Sequence, residues 1–159
     1  MDFDLNKAIQ YFQTVVTKHY TDFQGRVSRH DFWTYVVVYL AVVVIAAIVQ
    51  GLLGLGLIAL VQLGLFLPTA GITARRLQDI GKNGSLVWIL MIPVLISTMI
   101  NLLAWLTFGG FGLLLIFLPL LWLLSLISLG AAIYLIYLCA QPGTPGPNIY
   151  GPQPAVAVA

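Results

Sequence analysis

Arg75-Arg76-Leu77-Gln78-Asp79-Ile80-Gly81-Lys82-Asn83-Gly84 separates two long stretches that carry no charged side chain. From Phe32 to Ala74 there are 43 consecutive residues without Asp, Glu, Lys or Arg, and from Asn83 to Ala159 there are 77. Every other charge lies within the first 31 residues. Only 8% of the chain is charged and 60% is hydrophobic, against about 25% charged in an ordinary soluble domain. A surface this apolar is solvated by lipid, not water. The expected fold is therefore an all-α integral membrane protein.

Working outward from the charged decapeptide, the apolar stretches divide at glycine-rich turns into four spans of about 29–50, 57–77, 86–107 and 113–140, paired as two hairpins. Gly51–Gly56 and Phe108–Gly112 form the two remote turns. Pro68 removes one N–H and crowds the carbonyl of Gly64, so span two is expected to kink, with Thr69 or Thr73 bonding freed carbonyls. Ala70, Gly71 and Ala74 make a small face suited to close packing. Span four is too long to stand upright; either it tilts or it begins near Pro119.

Ahead of span one, Ser28-Arg29-His30-Asp31 has the spacing of a capping box, with Ser28 and Asp31 as the cap residues. Residues 1–27 form a separate unit. Leu5 to Phe23 has apolar residues at helical spacing, Lys7, Gln10 and Lys18 on the other face, and Asp4 as N-cap. This predicts an amphipathic helix in the headgroup plane, or else one packed on the protein's own inner face. Residues 141–159 are a Pro/Gly-rich cytoplasmic tail with no charge, most simply read as a solvated terminus.

All seven Lys and Arg residues fall before span one or between spans two and three. The positive-inside rule then places both termini and Lys82 in the cytoplasm. Trp33, Tyr35 and Trp88 mark the inner interface, and Trp105, Phe108 and Phe111 the outer one. Arg26, Arg29, Arg75, Arg76 and Lys82 form a candidate face for anionic lipid or a partner, with Asp79 as a structural ion-pair residue. The arginines of the decapeptide serve as a topology signal, as partners of Asp79, or as a phosphate-binding pocket; the last two roles are compatible.

No zinc spacing, nucleophile–base pair or phosphate loop occurs, so no catalytic, metal or cofactor residue is assigned. His19 and His30 lie on different segments, and Cys139 is the single cysteine. Between their charged inner ends the spans hold no Asp, Glu, Lys, Arg or His, and Cys139 is their one thiol, unlike proton-coupled carriers, which keep intramembrane carboxylates or histidines. A nucleic-acid partner is not expected. The favoured role is a non-enzymatic structural or accessory subunit that packs with itself or with a larger membrane complex. The alternative is a small transporter or channel for a neutral or anionic solute.

Three separated segments, Gly25-Arg26-x-Ser28-Arg29-x-x-Phe32-Trp33, the decapeptide's Arg75-Arg76-Leu77-x-Asp79-x-Gly81-Lys82, and Pro142-Gly143-Thr144-Pro145-Gly146-Pro147-Asn148-x-Tyr150-Gly151-x-x-Pro154, resemble the family called domain of unknown function 805. The resemblance runs from about Tyr11 to Pro154. It implies a small bacterial inner-membrane protein and a tail whose Pro142–Tyr150 folds back onto the inner face. The family usually has His at Gln78, Ser-Gly-Trp at Asn83-Gly84-Ser85, and often a basic residue at Ile149. The resemblance implies no activity.

The threading has a direct test. In a Cys139→Ala background, single cysteines at 54 and 110 should react with an impermeant maleimide on intact cells, and one at 82 should not. Labelling at 82 with silence at 54 and 110 would invert the topology.

Overall fold

The computed structural model describes residues 4–53, 56–108 and 112–155, excluding the side chains of 105, 107, 108 and 112–114. Gly54, Gly110 and Phe111, and the side chains of Trp105 and Phe108, therefore lie outside the described residues. The described residues fold into helices α1 (Leu5–Lys18), α2 (Arg29–Leu53), α3 (Leu57–Gly64), α4 (Phe66–Asp79), α5 (Trp88–Phe108) and α6 (Gly112–Ala140). A 3-10 turn, Gly84–Val87, leads into α5. Among these residues there is no strand, only an isolated pair in the tail, Asn148 and Gly151, exchanging two N–H···O bonds of 3.0 Å.

Among the described residues, three stretches are long and apolar enough to cross a bilayer: 29–53, 84–104 and 115–140. A fourth exists only if α3 and α4, which meet at 46°, are counted as one broken span. The bend sits at Leu65, one turn before Pro68. The missing Pro68 N–H leaves the Gly64 carbonyl free, and the Tyr20 hydroxyl donates to it at 2.9 Å. The two threonines expected to do this act elsewhere. Thr73 donates to Thr69 O at 2.7 Å, and Thr69 Oγ1 meets the Tyr35 hydroxyl at 2.8 Å. Span four begins at Gly112 and continues through Pro119 as one helix of 29 residues, about 43 Å.

The N-terminal helix is shorter than its periodicity suggests. Asp4 caps it, accepting from Asn6 N at 2.9 Å and Lys7 N at 3.3 Å. It stops at Lys18, not Phe23, because residues 19–23 turn away, letting Tyr20 reach α3 and Phe23 stack on Trp88 at 5.9 Å. Ala8 and Val15 are buried and Phe12 stacks on Tyr35 at 5.1 Å, while Leu5 and Ile9 stay exposed. Part of the apolar stripe thus packs on the protein. At the start of α2, Ser28 Oγ accepts from Asp31 N at 3.1 Å.

Two sequence expectations shift in the packed fold. Tyr35 is fully buried and stacks between Phe12 and Tyr39, so it is a core residue and not an interface anchor. The small face of α4 meets no helix at Gly71: a Cβ there would stand 2.7 Å from Asp22 O, so the linker between α1 and α2 lies directly against it. The core gathers at the charged end around Tyr35, Ile72, Leu77, Val87, Leu135 and Cys139. Beyond it the helices are mostly lipid-facing; only 6% of the apolar stretch of α2 is buried within the protein.

Tyr20→Phe should cost about 1 kcal/mol. Pro68→Ala restores an N–H that can satisfy Gly64, so the two substitutions should be less than additive. A double-mutant cycle by thermal melting in detergent checks this; strict additivity would mean that the hydroxyl does not serve the freed carbonyl.

Candidate functional site

The end of α4 delivers the charged residues to one layer. Its last turn closes with Gly81 at φ +74, a left-handed conformation that favours glycine. The amide of Lys82 bonds Leu77 O at 2.9 Å and that of Gly81 bonds Gln78 O at 3.1 Å, which terminates the helix. Arg76 and Asp79, three apart, then share one face, and the linker brings Arg26 to the same point.

Asp79 sits between two guanidinium groups. Arg26 Nε donates to Oδ1 at 2.9 Å, and Arg76 Nη1 pairs with Oδ2. Arg76 is fully buried, Asp79 is 3% exposed, and the Arg26 side chain is 1% exposed. Two cations and one carboxylate would leave a buried surplus charge, which is costly unless further groups solvate it. Backbone carbonyls do so. Arg76 Nε donates to Cys139 O at 3.0 Å and Nη2 to Gln141 O, at the negative end of α6. Arg26 Nη2 donates to Thr144 O and Nη1 to Gly146 O, both at 2.6 Å.

The tail is thereby docked. The Thr144 amide and hydroxyl both donate to Asp79 O at 2.9 Å, and Asn148 Nδ2 donates to Gln78 O at 3.0 Å. A Cβ at Gly143 would overlap Asp79 Oδ2, so only glycine permits this approach. Gln78, where the family usually has His, donates from Nε2 to Phe23 O at 2.9 Å and so ties α4 to the linker.

The remaining basic residues separate from this cluster. Arg75 Nη1 lies 3.6 Å from Asp22 Oδ2, and its buried Nε and Nη2 have no hydrogen-bond partner among the described residues. It lines, with Lys7, Tyr11, His19 and Asp31, a cavity of about 460 Å³ beside α1. Burial, reinforced by Asp31 and opposed by Arg75, pushes the Tyr11 phenol well above its usual range, so it stays protonated. Arg29 and Lys82 are exposed, Arg29 Nη1 reaching Ala140 O at 3.5 Å. Arg26 and Arg76 therefore face inward and hold the protein together, whereas Arg29 and Lys82 face outward. Thr144, Asn148 and Tyr20 carry bonds, and Gly143 a close approach to Asp79, that neither periodicity nor charge pattern singled out; for the three tail residues, the tail motif was the available signal. Among the described residues no cluster of three His, Cys, Asp or Glu side chains can hold a metal.

The sequence profile of the family described as protein of unknown function (DUF805) matches residues 20–152. Inner membrane protein YhaI of Escherichia coli strain K12 is 32% identical over 88 residues, covering 54% of this chain and 74% of that protein. Uncharacterized protein YiiR of the same strain is 31% identical over 72 residues, covering 44% of this chain and 49% of that protein. No solved structure matches.

Asp79→Asn leaves two buried guanidiniums without their carboxylate and should cost about 3–5 kcal/mol. Arg26→Gln leaves the Arg76–Asp79 pair, so it should release the tail while the bundle persists. Melting in detergent and limited proteolysis by proteinase K, with fragments read by mass spectrometry, separate the two effects. A tail as resistant in Arg26→Gln as in the parent would refute the docking role of Arg26.

Proposed function

The chain belongs to the DUF805 family, and on that premise we propose that it is a non-enzymatic structural or accessory subunit of the bacterial inner membrane. It packs with itself or with a larger membrane complex. The observation that carries this reading is the fate of the charged layer. Arg26, Arg76 and Asp79, the groups best placed for chemistry, are consumed by bonds to one another and to the tail.

The apolar helix faces support the same reading. Leu123, Leu126, Ile127 and Leu129 of α6 are exposed, and Gly130 among them has open space where a Cβ would stand. A small residue on a lipid-facing helix lets a neighbouring helix approach closely. In this reading α2, the broken span α3–α4, α5 and α6 form two hairpins with both termini in the cytoplasm. Helix α1 rests at the inner interface with Leu5 and Ile9 toward lipid. The exposed Lys7, Lys18, Arg29 and Lys82 meet anionic headgroups on that side.

A Cβ at position 130 meets no described atom within 4 Å, so Gly130→Leu should change the melting temperature little while weakening association. Size-exclusion chromatography with light scattering, and the set of membrane proteins that co-purify in mild detergent, are the readouts. A lipid-bound monomer with no stoichiometric partner, unchanged by Gly130→Leu, would sink the accessory role.

A further inference from the structure

The half of the bundle remote from the charged face holds a cavity of about 720 Å³ between α2, α3, α5 and α6. That lies within the range of small-molecule sites, about 300–1,000 Å³. Every described Asn, Gln, Ser or Thr side chain between Leu40 and Leu63, and between Trp88 and Gly130, lines it. Gln50 and Gln62 come from the first hairpin, Ser97, Thr98 and Asn101 from α5, and Ser125 and Ser128 from α6. Four helices thus turn their few polar side chains toward one space.

The hydrogen bonds within the protein orient these groups. Gln50 Oε1 accepts from Ile58 N at 3.0 Å, and Gln62 Oε1 accepts from the Thr98 hydroxyl at 3.1 Å. Both glutamines therefore keep their NH₂ groups for another partner. Asn101 is held the opposite way: its Nδ2 donates to Ser97 O at 2.7 Å, which leaves its carbonyl oxygen as an acceptor. The Ser97 and Ser125 hydroxyls donate to Val94 O and Trp122 O, leaving their lone pairs. The cavity thus presents amide donors on one wall and amide and hydroxyl acceptors on the other. Lipid tails can satisfy none of them.

No lining residue is ionisable. A bound ion would lose its hydration without a countercharge, so a charged ligand is disfavoured. Toward the charged face lie the buried core residues Met91 of α5 and Leu135 of α6, within about one turn of the lining residues Leu90 and Ala132. We propose that this cavity is a binding site for a neutral polyol, whose hydroxyls each donate and accept and so match both walls.

The test uses the full chain in proteoliposomes, with Cys139→Ala and one new cysteine. A thiol reacts as its thiolate, so labelling requires hydration at that position. Ser128→Cys lies in the cavity, and Leu126→Cys, on the exposed lipid face of α6, is the control. The neutral reagent hydroxyethyl methanethiosulfonate should label position 128 about tenfold faster than position 126. The anionic sulfonatoethyl reagent should show no such preference. Xylitol should slow labelling at 128, and either Gln62→Leu or Asn101→Leu should raise the xylitol needed several-fold. Asn101 is exposed, so its variant remains informative if Gln62→Leu fails to fold. Equal labelling at 128 and 126, as in a cavity filled by lipid or by a second copy, overturns the proposal. So does equally fast entry of the anionic reagent, or xylitol protection indifferent to both variants.

Discussion

One carboxylate organises the inner end of this protein. Asp79 accepts from Arg26 and Arg76, and each arginine uses its remaining donors on backbone carbonyls of the last helix or the tail. Removing a guanidinium from water is costly unless its N–H groups find acceptors, and each nitrogen of Arg26 and Arg76 has one. That requirement joins four parts of the chain that are distant in sequence: the linker before α2, the last turn of α4, the end of α6 and the Pro/Gly segment. The negative end of α6 supplies an acceptor, Cys139 O, where the extra positive charge needs one.

The consequence is an asymmetric bundle. At the charged end, aromatic and aliphatic side chains pack closely around Tyr35 and Leu77. Further along the bundle a polar-lined cavity lies between α2, α3, α5 and α6, and α3 meets α4 at an angle. The break is stabilised from outside: Tyr20 supplies the donor that Pro68 cannot. Membrane helices tolerate proline when a neighbour satisfies the freed carbonyl. Here the neighbour is a linker residue that periodicity had assigned to a helix.

Much of the plan was legible along the chain. The lengths of uncharged sequence required helices that satisfy their own backbone in lipid, and Asp4 and Ser28 are caps that local spacing identifies. Spacing also placed Asp79 on a face with Arg75 and Arg76. It left open which arginines Asp79 would meet, since Arg26 and Arg29 both lie 50 or more positions away in sequence. The aromatic-belt rule marked Tyr35 as interfacial because it reads residue type and position along a span, not what the side chain touches.

The sequence by itself determined that this is a multi-helix membrane protein with its charge confined to one end, because hydrocarbon excludes unpaired charge regardless of how the helices meet. It also limited the possible spans, because length and hydropathy are local properties. Only the tertiary structure decided which guanidiniums turn inward, that the uncharged tail docks on them, and that scattered Gln, Asn and Ser residues share one cavity. Those outcomes depend on helix rotation and on backbone carbonyls as acceptors, and every residue has a carbonyl, so its use leaves no mark on the sequence.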